Sequence, residues 1–99
     1  MEMSRYSKGA DFERSVLSFL ADDDHLAGRL AGSKSKYFGE VVDIIAFHIP
    51  TSRWLLIQAK IDGIISSSDK EKLISVAHQC GATPVLAYKS GSKVELKYL

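Results

Sequence analysis

Residues 41–60 read VVDIIAFHIPTSRWLLIQAK, and this stretch decides the fold. Two apolar runs, Val41 to His48 and Trp54 to Lys60, flank the turn residues Pro50 to Arg53. Both runs are apolar on alternate and intervening positions alike, as in central strands covered on two faces. The pattern predicts neighbouring strands joined by the Pro50 turn, with helices above and below them.

Working outward, the chain supplies those helices. Upstream, from Ala10 to about Asp23, the residues Val16, Leu17, Phe19 and Leu20 recur at helical spacing, with Phe12 near the start. A short strand is expected from Leu26 to Ala31. Downstream, Ser68-Asp69-Lys70-Glu71 fits a capping box, in which serine and glutamate satisfy each other's free amides, and Gly81 closes the helix it opens. Leu73, Val76, Ala77 and Cys80 fall on one stripe of that helix, so Cys80 is read as a core residue rather than a nucleophile. Val85 to Tyr88 is a buried strand, and Val94, Leu96 and Tyr98 alternate with Lys93, Glu95 and Lys97 as in a half-exposed edge strand. The resulting order is α-β-β-β-α-β-β: an α/β domain with a mixed central sheet flanked by helices.

Ninety-nine residues without repeats, long linkers or low-complexity tracts suit one domain spanning residues 1–99. Hydrophobic residues make up 45% and charged residues 25%, which excludes disordered and fibrous classes. Cys80 is the only cysteine, so neither an intrachain disulfide nor a cysteine-rich zinc site is available, and an intracellular, cytoplasmic location is expected. The opening Met1-Glu2-Met3-Ser4-Arg5 lacks a signal-peptide pattern, and no run approaches the roughly 20 apolar residues of a membrane helix. A formal charge of +1 does not announce a nucleic-acid partner, so any DNA surface must be local. His25, His48 and His78 show no metal-ligand spacing and are read as structural.

Three polar features stand where packing alone would not put them. Glu13, Leu17 and Leu20 are spaced i, i+4 and i+7, which turns the carboxylate toward the apolar stripe of the first helix. The plain alternative is a solvated first-turn acid favoured by the helix dipole. Asp43 interrupts a buried strand, where an unpaired carboxylate costs several kcal/mol unless a metal, a cation or amide donors compensate. A wet strand end is its structural alternative. Gln58 and Lys60 alternate around Ala59 and so point to one face of their strand, though a terminal lysine is often only the exit to solvent. Fourteen residues separate Asp43 from Gln58, enough for two adjacent strands and a turn. Asp43, Gln58 and Lys60 can therefore converge, offering oxygen ligands for Mg²⁺ beside a cation placed where phosphodiester cleavage builds negative charge.

The spacing D-x(14)-Q-x-K resembles that of the PD-(D/E)xK nuclease superfamily, with glutamine in place of the second acid. Ser7-Lys8-Gly9-Ala10-Asp11-Phe12-Glu13-Arg14 resembles the K-G-x-x-x-E-R opening of archaeal Holliday-junction resolvases, and Arg29, Ala31-Gly32-Ser33 and Gly81 to Ala87 follow in that family's order. The resemblance implies a restriction-endonuclease-like fold and a homodimeric endonuclease of four-way DNA junctions, leaving 5′-phosphate and 3′-hydroxyl ends. It implies Mg²⁺ (or Mn²⁺ in its place) held by Glu13, Asp43, Gln58 and the Ala59 carbonyl. Lys60 would position the attacking water or steady the phosphate, and Ser33 would approach the scissile phosphate. Arg5, Lys8, Arg29, Lys34 and Lys36 would contact DNA phosphates. Glutamine at position 58 removes one negative charge and should weaken metal binding, although Mrr-like branches of the superfamily also carry Q-x-K. Tyr37 and Phe38 would stack on an opened base, meet a dimer partner, or simply pack the loop.

Two rivals use the same residues: a nuclease for other branched or modified DNA, and a catalytically silent DNA-binding relative. A generic α/β domain would leave the convergence of Glu13, Asp43, Gln58 and Lys60 unexplained.

Overall fold

A computed structural model describes residues 5–30, 38 and 40–99, with the backbone alone for residues 5–8. The elements run α1 (Arg5–Asp22), β1 (His25–Arg29), β2 (Ile44–His48), β3 (Arg53–Ala59), α2 (Ser67–Cys80), β4 (Thr83–Ser90) and β5 (Lys93–Tyr98), in the order expected. Among the described residues no helix is long and apolar enough to cross a membrane. The five strands lie side by side in chain order. All neighbours are antiparallel except β3 and β4, which are parallel and joined through α2. Parallel pairing requires such a crossover, because a tight turn cannot return the chain to the same end of the sheet.

The two apolar runs behave as central strands because each feeds two cores. Leu55 and Ile57 of β3 join Ile44, Ala46, Val85 and Ala87 beneath Phe12, Val16 and Leu20 of α1. On the opposite face Leu56 packs with Val41, Val42, Leu73 and Ala77, the last two from α2. Phe38 and Leu99 pack against this second core, so Phe38 does the simple loop packing considered for it, while Tyr37 lies outside the described residues. β5 is half-exposed at one edge, as its alternation requires.

Several boundaries move. Helix α1 begins at Arg5 rather than Ala10, β1 ends at Arg29 rather than Ala31, and β2 begins at Ile44 rather than Val41. The N-cap of α2 is Ser66, not Ser68: its extended backbone (φ −68°, ψ 154°) lets its hydroxyl accept the Asp69 N–H at 3.1 Å. Three consecutive serines could serve, and the tight turn entering the helix selects the first. Replacing Ser66 with alanine should cost about 1 kcal/mol, read as a fall in melting temperature of roughly 4–8 °C for a domain this size. Gly81 closes the helix in the left-handed conformation (φ 67°), with Gly81 N–H bonded to the His78 carbonyl and Ala82 N–H to that of Ala77. Cys80 departs from expectation more seriously, because it is exposed. Leu73 and Ala77 reach the core, but Cys80, in the last turn of α2, lines an open apolar surface hollow with Phe38, Ile45, Trp54, Leu56 and Ala82.

Candidate active site at the end of the central strands

The candidate residues meet where β2 begins and β3 ends, and Asp43 is the pivot. Its N–H donates to the Ile57 carbonyl at 2.8 Å, and its own carbonyl accepts the Leu30 N–H at 2.8 Å. Ile57 is already paired with Ile44, so Asp43 and Ile44 both stand against one residue of β3, as at a β-bulge. The next N–H of β3 on that side belongs to Ala59, and the Asp43 carboxylate accepts it through Oδ2 at 2.8 Å. The side chain thus substitutes for a strand partner. One carboxylate oxygen is thereby committed to the fold.

Burial pushes the Asp43 carboxyl above its ordinary value of 3.8, and the Ala59 N–H opposes that shift. The nearby Glu13 carboxylate raises it further, whereas the charges of Lys60 and Arg29 lower it. Three ionisable groups, from α1, the end of β1 and the end of β3, therefore act on Asp43 at the entry to β2. Glu13, Asp43 and Lys60 converge as the sequence suggested.

Glu13 has a partner that sequence reasoning missed. Arg29 at the end of β1 donates from Nε to Glu13 Oε1 at 2.8 Å, and both side chains are about four-fifths covered, at 19% and 18% exposure. Arg29, expected to contact a DNA phosphate, is paired with this candidate carboxylate. Nothing in the spacing of Glu13 and Arg29, sixteen residues apart, joined them as a pair.

Gln58 is buried, at 6% exposure, and its Oε1 has no hydrogen-bond partner among the described residues. An unsatisfied buried carbonyl oxygen is costly, so one on the strand end that also bears Lys60 is a natural candidate ligand for a cation. Among the described residues no three His, Cys, Asp or Glu side chains gather closely enough to hold a metal. Any ion here would rely on the Gln58 amide oxygen and a backbone carbonyl such as that of Ala59, together with Glu13 and Asp43. The set is all oxygen, which fits hard cations of the Mg²⁺ type.

Ser33, Lys34 and Lys36 lie outside the described residues, and the side chains of Arg5 and Lys8 are likewise not described. At the opposite end of the sheet, His25 is buried with its ring 4.6 Å from that of His48, and His48 Nδ1 lies 2.7 Å from the Thr51 hydroxyl. These histidines are remote from the candidate site along β1 and β2.

Comparison with known proteins gives this fold a family. Residues 4–99 match the model of the archaeal Holliday junction resolvase (Hjc) family. Among solved structures, the chain is similar to Hjc of Archaeoglobus fulgidus, a Holliday junction resolvase from an archaeal hyperthermophile, with a TM-score of 0.71 and 27% identity. That match covers 93% of this chain and 71% of the other. No curated protein matches the sequence.

Proposed function

Because the chain belongs to the archaeal Holliday junction resolvase family, we propose that this junction-resolving nuclease carries its chemistry on Glu13, Asp43, Gln58 and Lys60, with Mg²⁺ as the ion. The observation that carries the reading is the clamped, partly buried Asp43, which feels Glu13, Lys60 and Arg29 while sharing the end of β3 with the unsatisfied Gln58. Resolvase nucleases of this kind generally use divalent metal ions.

Glu13, Asp43, Gln58 and the Ala59 carbonyl would hold the ion, which when bound supplies a Lewis acid for the phosphate and an activated water. Arg29 keeps the Glu13 carboxylate from swinging away. The Ala59 N–H fixes the Asp43 carboxylate so that its rotamer is set before substrate arrives. Lys60 places a positive charge against the phosphate as charge accumulates on it. The products are a 5′-phosphate and a 3′-hydroxyl. Ser33 approaches the scissile phosphate, and Arg5, Lys8, Lys34 and Lys36 contact flanking phosphates. The enzyme works inside the cell, where junction DNA forms.

Resolution of a four-way junction needs two cuts, and each chain offers one such centre. A homodimer supplies the second. An apolar hollow of about 460 Å³, lined by Leu26, Ala27, Gly28, Ile45, Phe47 and Trp54, lies beside α2 on the sheet face. Its exposed Leu26 and Trp54 are unusual for a monomer surface and suit burial against a second copy.

The test is cleavage of labelled four-way junctions, linear duplex and single strands in Mg²⁺. Paired, symmetric nicks confined to the junction are expected. Gln58→Glu restores the missing charge and should lower the Mg²⁺ concentration for half-maximal cleavage by at least about tenfold. Equal cleavage of all three substrates would count against junction selectivity. Junction binding without cleavage, rescued by Gln58→Glu, would identify a silenced relative.

A further inference from the structure

Immediately beyond Lys60, the loop leading to α2 exposes two isoleucines. Ile64, at 72%, is the most exposed large apolar side chain among the described residues, and Ile61 stands at 54%. The loop that bears them is firmly held. Gly63 N–H donates to the Lys60 carbonyl at 2.8 Å, Lys89 N–H to the Ile61 carbonyl at 3.1 Å, and Ile64 N–H to Asp62 Oδ1 at 3.0 Å. Gly63 adopts φ 75°, and a Cβ there would meet the Tyr88 ring at 3.4 Å, so the backbone turns tightly against β4. Two apolar side chains are thus displayed in water on a fixed scaffold, with the exposed Lys89 bonded to the loop through its backbone and the exposed Lys70 following in α2.

Their position relative to the chemistry is restricted. The turn closed by Gly63 keeps its Cα within about 7 Å of that of Lys60, so Ile64 lies within roughly 11 Å of the candidate catalytic lysine. That distance corresponds to about three base-pair steps of duplex DNA.

We infer that Ile64, backed by Ile61, is the wedge by which this enzyme recognises the branch point, packing on the open face of a base pair where the duplex stack is interrupted. The inference rests on the junction-resolving function above. A single phosphate contact cannot tell a branch from a continuous duplex, because the backbone is locally the same in both. Apolar wedges can, because inserting one into an intact stack requires unstacking, while at a branch the base faces are already separated. An isoleucine on a rigid turn beside Lys60 therefore both selects the branch and sets how far from it the cut falls.

The experiment compares wild type with Ile64→Ser and Ile64→Leu on a four-way junction carrying 2-aminopurine at the branch. Fluorescence is read during binding in Ca²⁺, and cleavage in Mg²⁺. Ile64→Ser is expected to abolish the fluorescence change, lower junction kcat/KM at least tenfold, and scatter the cut positions. Linear-duplex affinity, helical content and sedimentation should stay as in wild type, and Ile64→Leu should restore cleavage. Unchanged fluorescence and cleavage in Ile64→Ser would overturn the wedge. So would loss of activity accompanied by dissociation to monomers, which would place the isoleucines against a second copy. If wild type itself cuts no junction, the nuclease reading fails, while the fluorescence in Ca²⁺ still decides the wedge.

Discussion

Asp43→Asn is expected to lower junction cleavage by on the order of 10³-fold, about 4 kcal/mol of transition-state stabilisation, while raising the melting temperature of the metal-free protein. The two effects have one origin. Burial and the neighbouring Glu13 carboxylate raise the Asp43 pKa in the folded chain, so the fold prefers the neutral form. Such a group contributes stability that is fully present below the unfolded value, close to 3.8, and is lost as pH rises through the higher folded value. At neutral pH the ionised carboxylate is therefore a strain on the apo fold that asparagine removes. Asparagine still offers an amide oxygen to the Ala59 N–H, so the clamp at the end of β3 survives. The stability difference between the variants should vanish in acid and grow as pH rises above the ordinary aspartate range.

Adding Mg²⁺ should reverse the order, because a cation stabilises ionised Asp43 and has less to gain from asparagine. The acid limb of the wild-type cleavage profile should likewise move to lower pH as Mg²⁺ is raised, since the ion competes with the proton for the same oxygen. Thermal melts with and without Mg²⁺, set beside single-turnover cleavage from acid to neutral pH, read all of this. A variant that is less stable without metal yet cleaves normally would make Asp43 a structural residue only.

The site was legible where local pattern and chemistry coincide. Asp43 stood out because a carboxylate between Val42 and Ile44 contradicts its surroundings. Gln58 and Lys60 followed because strand alternation needs no tertiary knowledge. Glu13 was visible through helical spacing, and the structure gives it the partner that a covered charge requires. What sequence did not disclose depends on contacts between distant segments. The bond from Arg29 to Glu13 joins residues sixteen apart through the packing of α1 on β1, and a basic residue at a strand end reads equally well as a phosphate contact. Cys80 lies on the correct helical stripe, yet helical periodicity cannot say whether anything covers the last turn of a helix. Ser66 and Ser68 are alike as residue types, and only the backbone path, extended at Ser66, puts one hydroxyl on the Asp69 N–H.

Lys60→Ala should leave junction affinity within about twofold while reducing cleavage by about 10²–10³-fold, the usual consequence of removing one preorganised group that stabilises developing negative charge. The separation of these effects follows from where the lysine stands. It is half-buried at the end of β3, its N–H tied to the Ala87 carbonyl at 2.9 Å and its carbonyl to Gly63. Its charge is felt by Asp43. A lysine used chiefly to hold DNA would sit on the open surface, and its loss would weaken binding and reduce the slope of log affinity against log salt by about one. Lys60→Ala should leave that slope unchanged. Lys60→Arg should rescue poorly, because a planar guanidinium cannot reproduce a compact ammonium in a partly enclosed site. A carboxyl NMR titration provides an independent readout: without the Lys60 charge, the Asp43 pKa should rise further, even though the variant barely cleaves. Full cleavage by Lys60→Ala would remove the lysine from the chemistry. Weakened binding with an unshifted Asp43 titration would make it a phosphate contact instead.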